Sequence, residues 1–418
     1  MNILLKSATI FDKKSPYHKK TQDILIKEST FVQIADHIDC PEDVQEIQLD
    51  NLHVSNGWFD TSVSFGEPGY EERETIANGL DVAAKAGFTD VAMNSNTNPY
   101  IDTKSSVVFI KNESHSKATN LHPIASLTQA SKGEEIAELY DMKQVGAIAF
   151  GDYNKALSND NLMKVALLYA QNFDGLVLSF PNNKVIAGEG IANEGENSTL
   201  LGLKGIPNLA EELQIARDIA ILEYTGGKLH IPTISTSKSV DLIRQAKQKG
   251  LQVSCSVTAH HLCLTDSELK SFDGNVKVLP PLRTEQDRLA LIEGVNDGTI
   301  DIITSDHNPI DIENKKVEFS NAKYGTIGLE SLFGSLLTVL DTETIIDCLT
   351  HKPKEIFEIE NLSIDTGNKV SISLFNTTDK NIFQESDILS TSKNAVFLHK
   401  ELKGKAYGVF ANNQLILK

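Results

Sequence analysis

The sequence predicts an α/β protein, a (β/α)8 TIM-type barrel with a small β-sandwich domain built from both chain ends. Stretches typical of strands and of helices alternate over about 300 residues in the middle of the chain, as they do in parallel barrels. Both chain ends instead show the alternation of apolar and polar residues that is typical of antiparallel strands. No Gly-x-Gly-x-x-Gly or P-loop pattern follows a predicted strand, which disfavours an open nucleotide-binding sheet. We expect residues 1–56 and 365–418 to form the β domain and residues 57–364 to form the barrel.

Each element follows from the spacing of its apolar residues and from the Gly or polar residues that end it. In the end domain, period-two patterns predict strands at 3–5, 23–27, 31–34, 46–49, 53–54, 370–375, 395–397, 406–410 and 414–417. In the barrel, a short apolar run ends in the Gly/Pro turn before Gly69, and further strands are predicted at 88–93, 147–150, 175–179, 228–231, 252–257 and 299–303. Helices are predicted between the barrel strands at 71–85, 161–171, 208–224, 239–249 and 285–295.

The composition excludes some classes of partner. A formal net charge of -18 argues against a surface for nucleic acid or for an anionic membrane, because either would require a basic patch. The four cysteines show no CxxC spacing and no paired framework, so we expect reduced thiols. The apolar run at the start of the chain is too short for the apolar core of a signal peptide. No other apolar run approaches the length of a membrane span. These features predict a cytoplasmic protein.

The motif that organises the chain is the first predicted barrel strand and its turn, residues 56–69, which contains Asp60-Thr-Ser62-Val-Ser64 and ends in Glu67-Pro-Gly69. This stretch resembles the first strand of the dihydroorotases and other cyclic amidohydrolases. There the pattern reads Gly, two apolar residues, Asp-x-His-x-His-x-Arg-Glu-Pro-Gly. In this chain both histidines are replaced by serine, at Ser62 and Ser64.

The resemblance continues nearly from end to end, which a single motif could not supply. Further stretches similar to the family lie at 94–99, 206–212, 216–218, 230–236, 258–262, 280–283, 301–309, 325–330, 392–394 and 402–404. The resemblance implies reversible, metal-assisted hydrolysis of dihydroorotate to carbamoyl aspartate. Such a reaction uses a metal-bound hydroxide as the nucleophile and a carboxylate to move the proton.

Most metal-binding positions that the resemblance implies carry hydroxyl side chains in this sequence. Beyond the two first-strand serines, the next two histidine positions are occupied by Ser179 and Thr233. The bridging position falls on Asp152, or one residue later on Tyr153. Asp306 remains at the position of the proton shuttle and is interpreted as a relic. One or two carboxylates do not hold a catalytic zinc, which normally has three protein ligands.

The residues that would hold the substrate are also mostly replaced. The resemblance implies an Arg where Gly66 stands, an Asn where Leu279 stands and a His where Ile310 stands. Only Asn96 remains as a substrate-binding residue. The missing Arg matters most, because its planar guanidinium binds a carboxylate through two parallel hydrogen bonds and glycine offers no side-chain donor.

The sequence leaves three other kinds of site open. Ser62 or Ser64 could act as a nucleophile with His307 and Asp306, but adjacent residues seldom form the His–Asp hydrogen bond of a triad. A working cyclic amidohydrolase would need ligands from a different set, with zinc as its cofactor; the candidates near strand ends are His230, His260, His261, His307, Asp152 and Asp306. A third hypothesis is a barrel that binds a pyrimidine-like ligand, which thermal stabilisation by the ligand would support.

The sequence therefore favours a dihydroorotase-like protein that has lost catalysis and needs no cofactor. Some members of this family lack the metal and act as structural partners of aspartate transcarbamoylase, and the losses in this chain are similar. The resemblance thus implies assembly with aspartate transcarbamoylase and with further copies of the chain itself. An active metal-dependent dihydroorotase or related cyclic amidohydrolase with a divergent site is the alternative.

Overall fold

The structure is a computed structural model that describes residues 1–418. Its strands, in chain order, are β1 (Asn2–Phe11), β2 (Thr21–Lys27), β3 (Thr30–Ala35), β4 (Gln45–Ile47), β5 (His53–Asn56), β6 (Trp58–Val63), β7 (Phe88–Met93), β8 (Asn120–Ala125), β9 (Ala149–Phe150), β10 (Leu176–Leu178), β11 (Ala192–Asn193), β12 (Gly205–Ile206), β13 (Lys228–Ile231), β14 (Val253–Thr258), β15 (Ile302–Thr304), β16 (Ile372–Ile382), β17 (Glu401–Ala411) and β18 (Gln414–Leu417). Its α-helices are α1 (Ile76–Lys85), α2 (Lys104–Glu113), α3 (Leu139–Gln144), α4 (Asp160–Ala170), α5 (Lys184–Ala187), α6 (Glu196–Leu200), α7 (Asn208–Thr225), α8 (Ser237–Gln248), α9 (Ala259–Cys263), α10 (Glu285–Asn296), α11 (Ile312–Lys315), α12 (Leu329–Leu336), α13 (Thr342–Leu349) and α14 (His351–Ile356). None of these helices combines the length and the apolar character that crossing a membrane requires.

Eight strands from the middle of the chain form a parallel barrel. Their order in the sheet is β6, β7, β8, β9, β10, β13, β14 and β15, so consecutive barrel strands are neighbours. A parallel bridge between Val63 and His307 joins the first strand to the segment that follows the last one. There the Ser64 N–H donates to the His307 carbonyl oxygen at 2.7 Å. The predicted (β/α)8 barrel is confirmed.

The barrel encloses a small apolar core, and a larger core surrounds it. Six strands each contribute one side chain to the inner cluster, which Phe357 joins from the residue after α14; the six are Phe59, Ala92, Ile124, Ala149, Leu176 and Ile302. The outer cluster of 57 buried residues packs the strands against the helices. Because both strand faces are covered, strands such as β7 are buried along their whole length.

Helix α1 shows how the sequence sets the ends of a helix, and it begins later than predicted. The Thr75 hydroxyl accepts from the Asn78 N–H at 3.2 Å and caps the first turn, so residues 71–74 lie outside the helix. At the other end, Gly87 has φ +95. A Cβ atom at that position would lie 2.6 Å from the Trp58 ring, so only glycine lets β7 start against this ring.

The two chain ends meet in a second sheet beside the barrel. Its strand order is β18, β17, β16, β5, β1, β2 and β3, with β4 paired to β1. Antiparallel pairing of β16 with β5, for example Ile372 opposite Asn56, connects the strands from the two ends of the chain. Sixteen buried residues from both ends pack into one cluster. The predicted strand-rich unit built from both chain ends is confirmed.

Several elements were not predicted from the sequence, helices α2, α12 and α13 among them, and two strands differ in an informative way. Strand β8 was not predicted, because Asn120, His122 and Pro123 interrupt the apolar run on which strand prediction depends. The strand predicted at 395–397 is wrong. Ala395 makes a single bridge to Ile327, and the chain then turns through residues 396–399.

The only tryptophan lies where the barrel meets the second sheet. The Trp58 ring centroid is 4.6 Å from that of Phe333 and 5.5 Å from that of Phe375. Its indole Nε1 donates to the Ser55 hydroxyl at 2.9 Å. Because Ser55 belongs to β5 and Trp58 to β6, this hydrogen bond crosses between the two units, and tryptophan fluorescence should report on both.

Replacing Ser55 by alanine is expected to lower the free energy of unfolding by about 1–2 kcal/mol, because the buried indole N–H loses its acceptor. Urea unfolding followed by Trp58 fluorescence measures the change. Ser320→Ala serves as the control, since that serine is exposed and should shift stability by less than about 0.5 kcal/mol. Equal stability of the two variants would contradict the prediction.

Candidate active site

The two serines of the first barrel strand lie at the carboxyl end of the barrel, in a closed hydrogen-bond network. The Ser62 hydroxyl donates to Asp306 Oδ1 at 2.8 Å. Asn94 Nδ2, just beyond β7, donates to the Ser62 hydroxyl at 3.0 Å and contacts the Ser64 hydroxyl at 3.3 Å. All four side chains are buried. Both serines therefore form hydrogen bonds with neighbouring side chains.

Asp306 accepts a second hydrogen bond, from the Tyr153 hydroxyl at 3.0 Å. Burial raises the pKa of Asp306 to about 6, although the hydrogen bonds from Ser62 and Tyr153 oppose the shift. Burial also raises the pKa of Tyr153 well above its usual value, and the charge of Asp306 adds to that rise. Tyr153 thus remains a neutral donor, and two hydroxyls hold the carboxyl group that the resemblance places at the position of a proton shuttle.

Asp152 and Tyr153, the two residues between which the sequence left the bridging position open, point in different directions. The Asp152 carboxylate accepts from the Thr128 N–H at 3.1 Å and from the Thr128 hydroxyl. It therefore ties the loop after β8 to the end of β9. Tyr153 instead reaches Asp306. An aromatic hydroxyl, not a second carboxylate, is the residue that faces Asp306.

The other two hydroxyl residues at implied histidine positions lie just beyond the ends of neighbouring strands, β10 and β13. The Ser179 hydroxyl donates to Asp218 Oδ2 at 2.7 Å, so it is directed outward toward α7. Thr233 has φ +51, and its hydroxyl oxygen is buried without a hydrogen-bond partner. Asn96, the residue expected to bind substrate, likewise has a buried Oδ1 without a partner, and it does not line the cavity described below.

The histidines near the strand ends are neutral and mostly engaged. Burial lowers the pKa of His230 to about 3, and its two ring nitrogens contact the hydroxyls of Ser254 and Ser256 at 2.9 and 3.3 Å. Burial lowers the pKa of His261 to about 4, and the ring lies between the Thr258 hydroxyl and the carbonyls of residues 280 and 281. Burial also lowers the pKa of His260 well below its usual value. None of the three is an exposed, charged group.

His307 does not form a catalytic triad with Asp306. Its Nδ1 accepts from the Gly328 N–H at 3.1 Å, so this nitrogen is not free to receive a proton from a serine. No hydrogen bond joins the His307 ring to Asp306, and the Ser62 hydroxyl donates to the carboxylate directly. A triad requires a His that lies between Ser and Asp. The serine-nucleophile hypothesis is therefore not supported by the geometry.

These side chains do not fit a zinc ion. Zinc in proteins is bound by Cys thiolate, His nitrogen or carboxylate oxygen, usually with three protein ligands at a catalytic site. Here hydroxyls stand at four of the implied ligand positions, and the two remaining carboxylates of Asp152 and Asp306 bind different hydroxyls. No three His, Cys, Asp or Glu side chains are placed to share one ion.

A small cavity of about 30 Å³ lies beside this network. A volume of that size holds roughly two water molecules, whereas pockets for small ligands span roughly 300–1,000 Å³. Dihydroorotate, or any ligand with a pyrimidine ring, does not fit without movement of the lining. The lining residues are Thr61, Ser62, Asn94, Ile124, Gly151, Asp152, Tyr153, Asn154, Leu178, Phe180, His230, Pro232, Thr233 and Ser256.

Comparison with known proteins places the whole chain in one family. The family model described as dihydro-orotase-like matches residues 53–239. The dihydroorotase of Geotalea daltonii is 34% identical over 100% of both chains, and that of Ruminiclostridium cellulolyticum is 36% identical over 95% of this chain and 94% of its own. Among solved structures, the L-hydantoinase (dihydropyrimidinase) from Arthrobacter aurescens has a TM-score of 0.86 at 18% identity, covering 100% of this chain and 96% of that one. Dihydropyrimidinase from Brevibacillus agri has a TM-score of 0.84, also at 18% identity, covering 100% and 95%. The solved structures share the fold, and the full-length sequence similarity shows that this chain belongs to the dihydroorotase-like family of cyclic amidohydrolases.

Proposed function

We propose that this chain is a non-catalytic dihydroorotase-like protein of pyrimidine biosynthesis, which acts as a structural partner of aspartate transcarbamoylase. The observation that carries the proposal is the network of Ser62, Ser64, Asn94, Tyr153 and Asp306, which joins hydroxyl and amide side chains at the carboxyl end of the barrel. Hydrolysis of a cyclic amide at neutral pH needs a strong nucleophile, which a metal-bound hydroxide supplies in this family. No three metal-ligating side chains are placed to share one ion, and no histidine lies between a serine and Asp306 at that end.

Further support comes from the space available. The cavity of about 30 Å³ leaves no room for the substrate, and Gly66 offers no side chain to bind its carboxylate. A Cβ at Gly66 would lie 1.9 Å from the Tyr70 carbonyl oxygen, so an arginine could not be placed there without rebuilding the turn. The small cavity and the crowded turn at Gly66 both support a chain that neither binds nor hydrolyses the substrate.

The proposed loss of catalysis is tested by measuring turnover of dihydroorotate and of carbamoyl aspartate by the purified chain, with and without added zinc. Metal content is measured on the same sample. We expect no turnover above buffer in either direction and substoichiometric zinc. Turnover that rises with bound zinc would refute the proposal and would mean that ligands outside the implied positions hold the metal.

The test of the partner half is co-purification from the native cell. We expect the tagged chain to bring down aspartate transcarbamoylase at a fixed stoichiometry, in a complex that stays intact on size-exclusion chromatography. A chain that elutes from fresh lysate at the mass of a monomer or of a complex of identical chains would contradict the proposed partnership. It would not bear on the proposed loss of catalysis.

A second candidate function is an active metal-dependent cyclic amidohydrolase with a divergent site. One observation favours it: His307 Nε2, which carries the ring proton because Nδ1 accepts from Gly328, is buried without a hydrogen-bond partner, as a donor kept for a substrate would be. Its relatives are also named dihydroorotase. The turnover assay separates the two candidates. His307→Gln should abolish any turnover that depends on this nitrogen.

Restoring the two first-strand histidines should not restore the site. The variant Ser62→His/Ser64→His is expected to bind no zinc and to lose about 2 kcal/mol of stability, because imidazoles overpack a region with a cavity of about 30 Å³. Ser179 and Thr233 would still lack ligand nitrogens. Metal analysis and urea unfolding measure the two effects. If this variant binds zinc and turns over substrate without further changes, the serines at positions 62 and 64 alone account for the missing metal site.

A further inference from the structure

Helix α7, the longest helix of the chain, carries a stripe of apolar side chains on its outer face. Leu209 and Leu213 are 47% and 44% exposed, and Tyr224 near the end of the helix is 80% exposed. Between them, Ala220 is exposed and Ala216 is half-buried. The spacings of four, three, four and four residues keep all five side chains on one side of an α-helix. The buried residues of α7 lie on its other side, so the core of the barrel does not use this stripe.

The two helices that pack beside α7 extend the apolar surface. Their exposed apolar side chains are Val165 and Leu168 on α4 and Val185 and Ile186 on α5. The Asn183 N–H donates to the Ala210 carbonyl oxygen at 2.8 Å, which places α5 beside the first turn of α7. The Gln171 side chain donates to the Thr225 carbonyl oxygen at 3.1 Å, which places the end of α4 beside the last turn of α7. The outer sides of the three helices therefore form one surface, the α4/α5/α7 face.

The size of this face is that of a protein interface. Its seven large apolar side chains are 36% to 89% exposed, and together they present roughly 700 Å² of accessible surface, against the about 800 Å² that each partner contributes to a standard interface. The largest apolar patch on a typical monomer spans only roughly 300–600 Å². Two such faces in contact would bury roughly 1,400 Å², which is within the range of specific, stable complexes.

The charges on this face favour a second copy of the chain as its occupant. Three basic and three acidic side chains on α4, α5 and α7 are not buried, namely Lys164, Lys184, Arg217, Asp160, Glu212 and Glu223. Their charges sum to zero, whereas the whole chain carries a formal net charge of -18. Two copies of such an acidic chain repel each other, so they can approach most easily through a face without net charge. A strongly charged partner would gain nothing from this face.

The apolar stripe of α7 is also complementary to itself in shape. Its bulky residues lie at positions 209, 213 and 224, and its small residues, Ala216 and Ala220, lie near the middle. In a two-fold pair the same stripe of each copy meets in the opposite direction. Leu209 of one copy then meets Tyr224 of the other, and Leu213 meets Ala220. The alanines allow the two helices to approach closely at the centre, where Leu213 would fill the space they leave.

We propose that the α4/α5/α7 face is the interface through which two copies of this chain associate, with α7 packed antiparallel to α7 of the second copy. The interface involves no residue of the Tyr153–Asp306 network. The proposal therefore does not depend on the loss of catalysis or on a complex with aspartate transcarbamoylase.

Sedimentation velocity of the purified full chain, over a range of about 0.1–50 µM, measures the association. We expect a dimer with a Kd of about 1 µM or tighter. Leu213→Glu should raise the Kd at least about 100-fold, because each copy would bury a carboxylate without a partner. Leu168→Glu tests the face from α4 and should act in the same direction, so the test does not rest on the folding of one variant. Both leucines are exposed in the single chain.

Leu289→Glu is the matched control. Leu289 is 53% exposed and lies on α10, which packs against α8 and α9, so the same substitution there should change the Kd less than about three-fold. A native chain that is monomeric at about 50 µM overturns the proposal, even if Leu213→Glu weakens binding to aspartate transcarbamoylase, since the face would then belong to that partner. A dimer that keeps its Kd in both Leu213→Glu and Leu168→Glu also overturns it, because the copies would associate through another surface.

Discussion

Replacing Asp306 by asparagine is expected to raise the free energy of unfolding at pH 8 by about 3 kcal/mol, although most buried substitutions destabilise. Burial raises the pKa of Asp306 from 3.8 to about 6. This is a shift of about two pH units, at about 1.4 kcal/mol per unit. The native state therefore carries the cost of an ionised, buried carboxylate that has no cation beside it. Asparagine removes the charge and keeps an oxygen that can accept from Ser62 and Tyr153.

The stabilisation should depend on pH with a definite sign. Between pH 3.8 and about 6 the folded chain binds more protons at Asp306 than the unfolded chain does. This contribution to stability therefore falls as pH rises through that window, and the full penalty is present above pH 6. The advantage of Asp306→Asn should be largest at pH 8 and close to zero at pH 4.

Urea unfolding of both proteins at pH 8 and pH 4, followed by Trp58 fluorescence, measures the difference. Asp50→Asn is the control, because that aspartate is exposed and its removal should change stability by less than about 0.5 kcal/mol at either pH. A variant that is less stable than the native chain at pH 8 would show that the carboxylate has stabilising partners beyond the two hydroxyls.

The same substitution bears on function. A buried carboxylate with a raised pKa is typical of a group that transfers a proton in catalysis. If the chain is non-catalytic, Asp306→Asn should stabilise it without any loss in the assembly of the proposed complex. If the chain is an active hydrolase, the substitution should abolish turnover. Stability and turnover measured on one variant therefore separate the two candidate functions.

Much of the fold could be predicted because the signals are local and periodic. Helix α10 was predicted at 285–295 and spans Glu285–Asn296, since the Thr284 cap and the helical spacing of apolar residues both lie in the sequence. Strand β8 could not be predicted, because its pairing with β7 and β9 compensates for His122 and Pro123. Tertiary pairing, which no local pattern reveals, decides such a strand.

The site could be predicted as a set of positions but not as a set of contacts. The sequence identified Ser62 and Asp306, yet nothing in it shows that the two share a hydrogen bond across 244 positions. The choice between Asp152 and Tyr153 depended on one residue of register at the end of a two-residue strand, β9. Asn94 was missed. Its only signal was its place directly after β7, two residues before Asn96.

The opposite end of the barrel holds a buried aspartate whose environment is the reverse of that of Asp306. Asp90 accepts from His122 at 2.9 Å and from Asn120 at 3.1 Å, and the Lys354 ammonium lies 3.3 Å away. Burial alone would raise the pKa of Asp90, but the charge of Lys354 and the hydrogen bond from His122 hold it well below its usual value. At this end the charge is fully compensated, as expected where a barrel serves stability rather than chemistry.

Replacing Lys354 by methionine should therefore cost about 3–5 kcal/mol at pH 7, because it leaves a buried carboxylate without its cation. A group with a lowered pKa contributes stability above its unfolded value of 3.8 and loses it as pH falls, so the cost should shrink in acid. Lys352→Met, two residues earlier on α14 and 28% exposed, should cost less than about 0.5 kcal/mol.

The double variant Lys354→Met/Asp90→Asn decides whether the cost comes from the unpaired charge or from lost packing. If the charge is responsible, adding Asp90→Asn should recover most of the stability, and a coupling energy of about 2 kcal/mol or more should separate the double variant from the sum of the single ones. If packing is responsible, the two losses should add. Recovery at Asp90, together with a gain from Asp306→Asn alone, would show that this fold keeps a charge-compensated buried carboxylate at one end of the barrel and an uncompensated one at the carboxyl end.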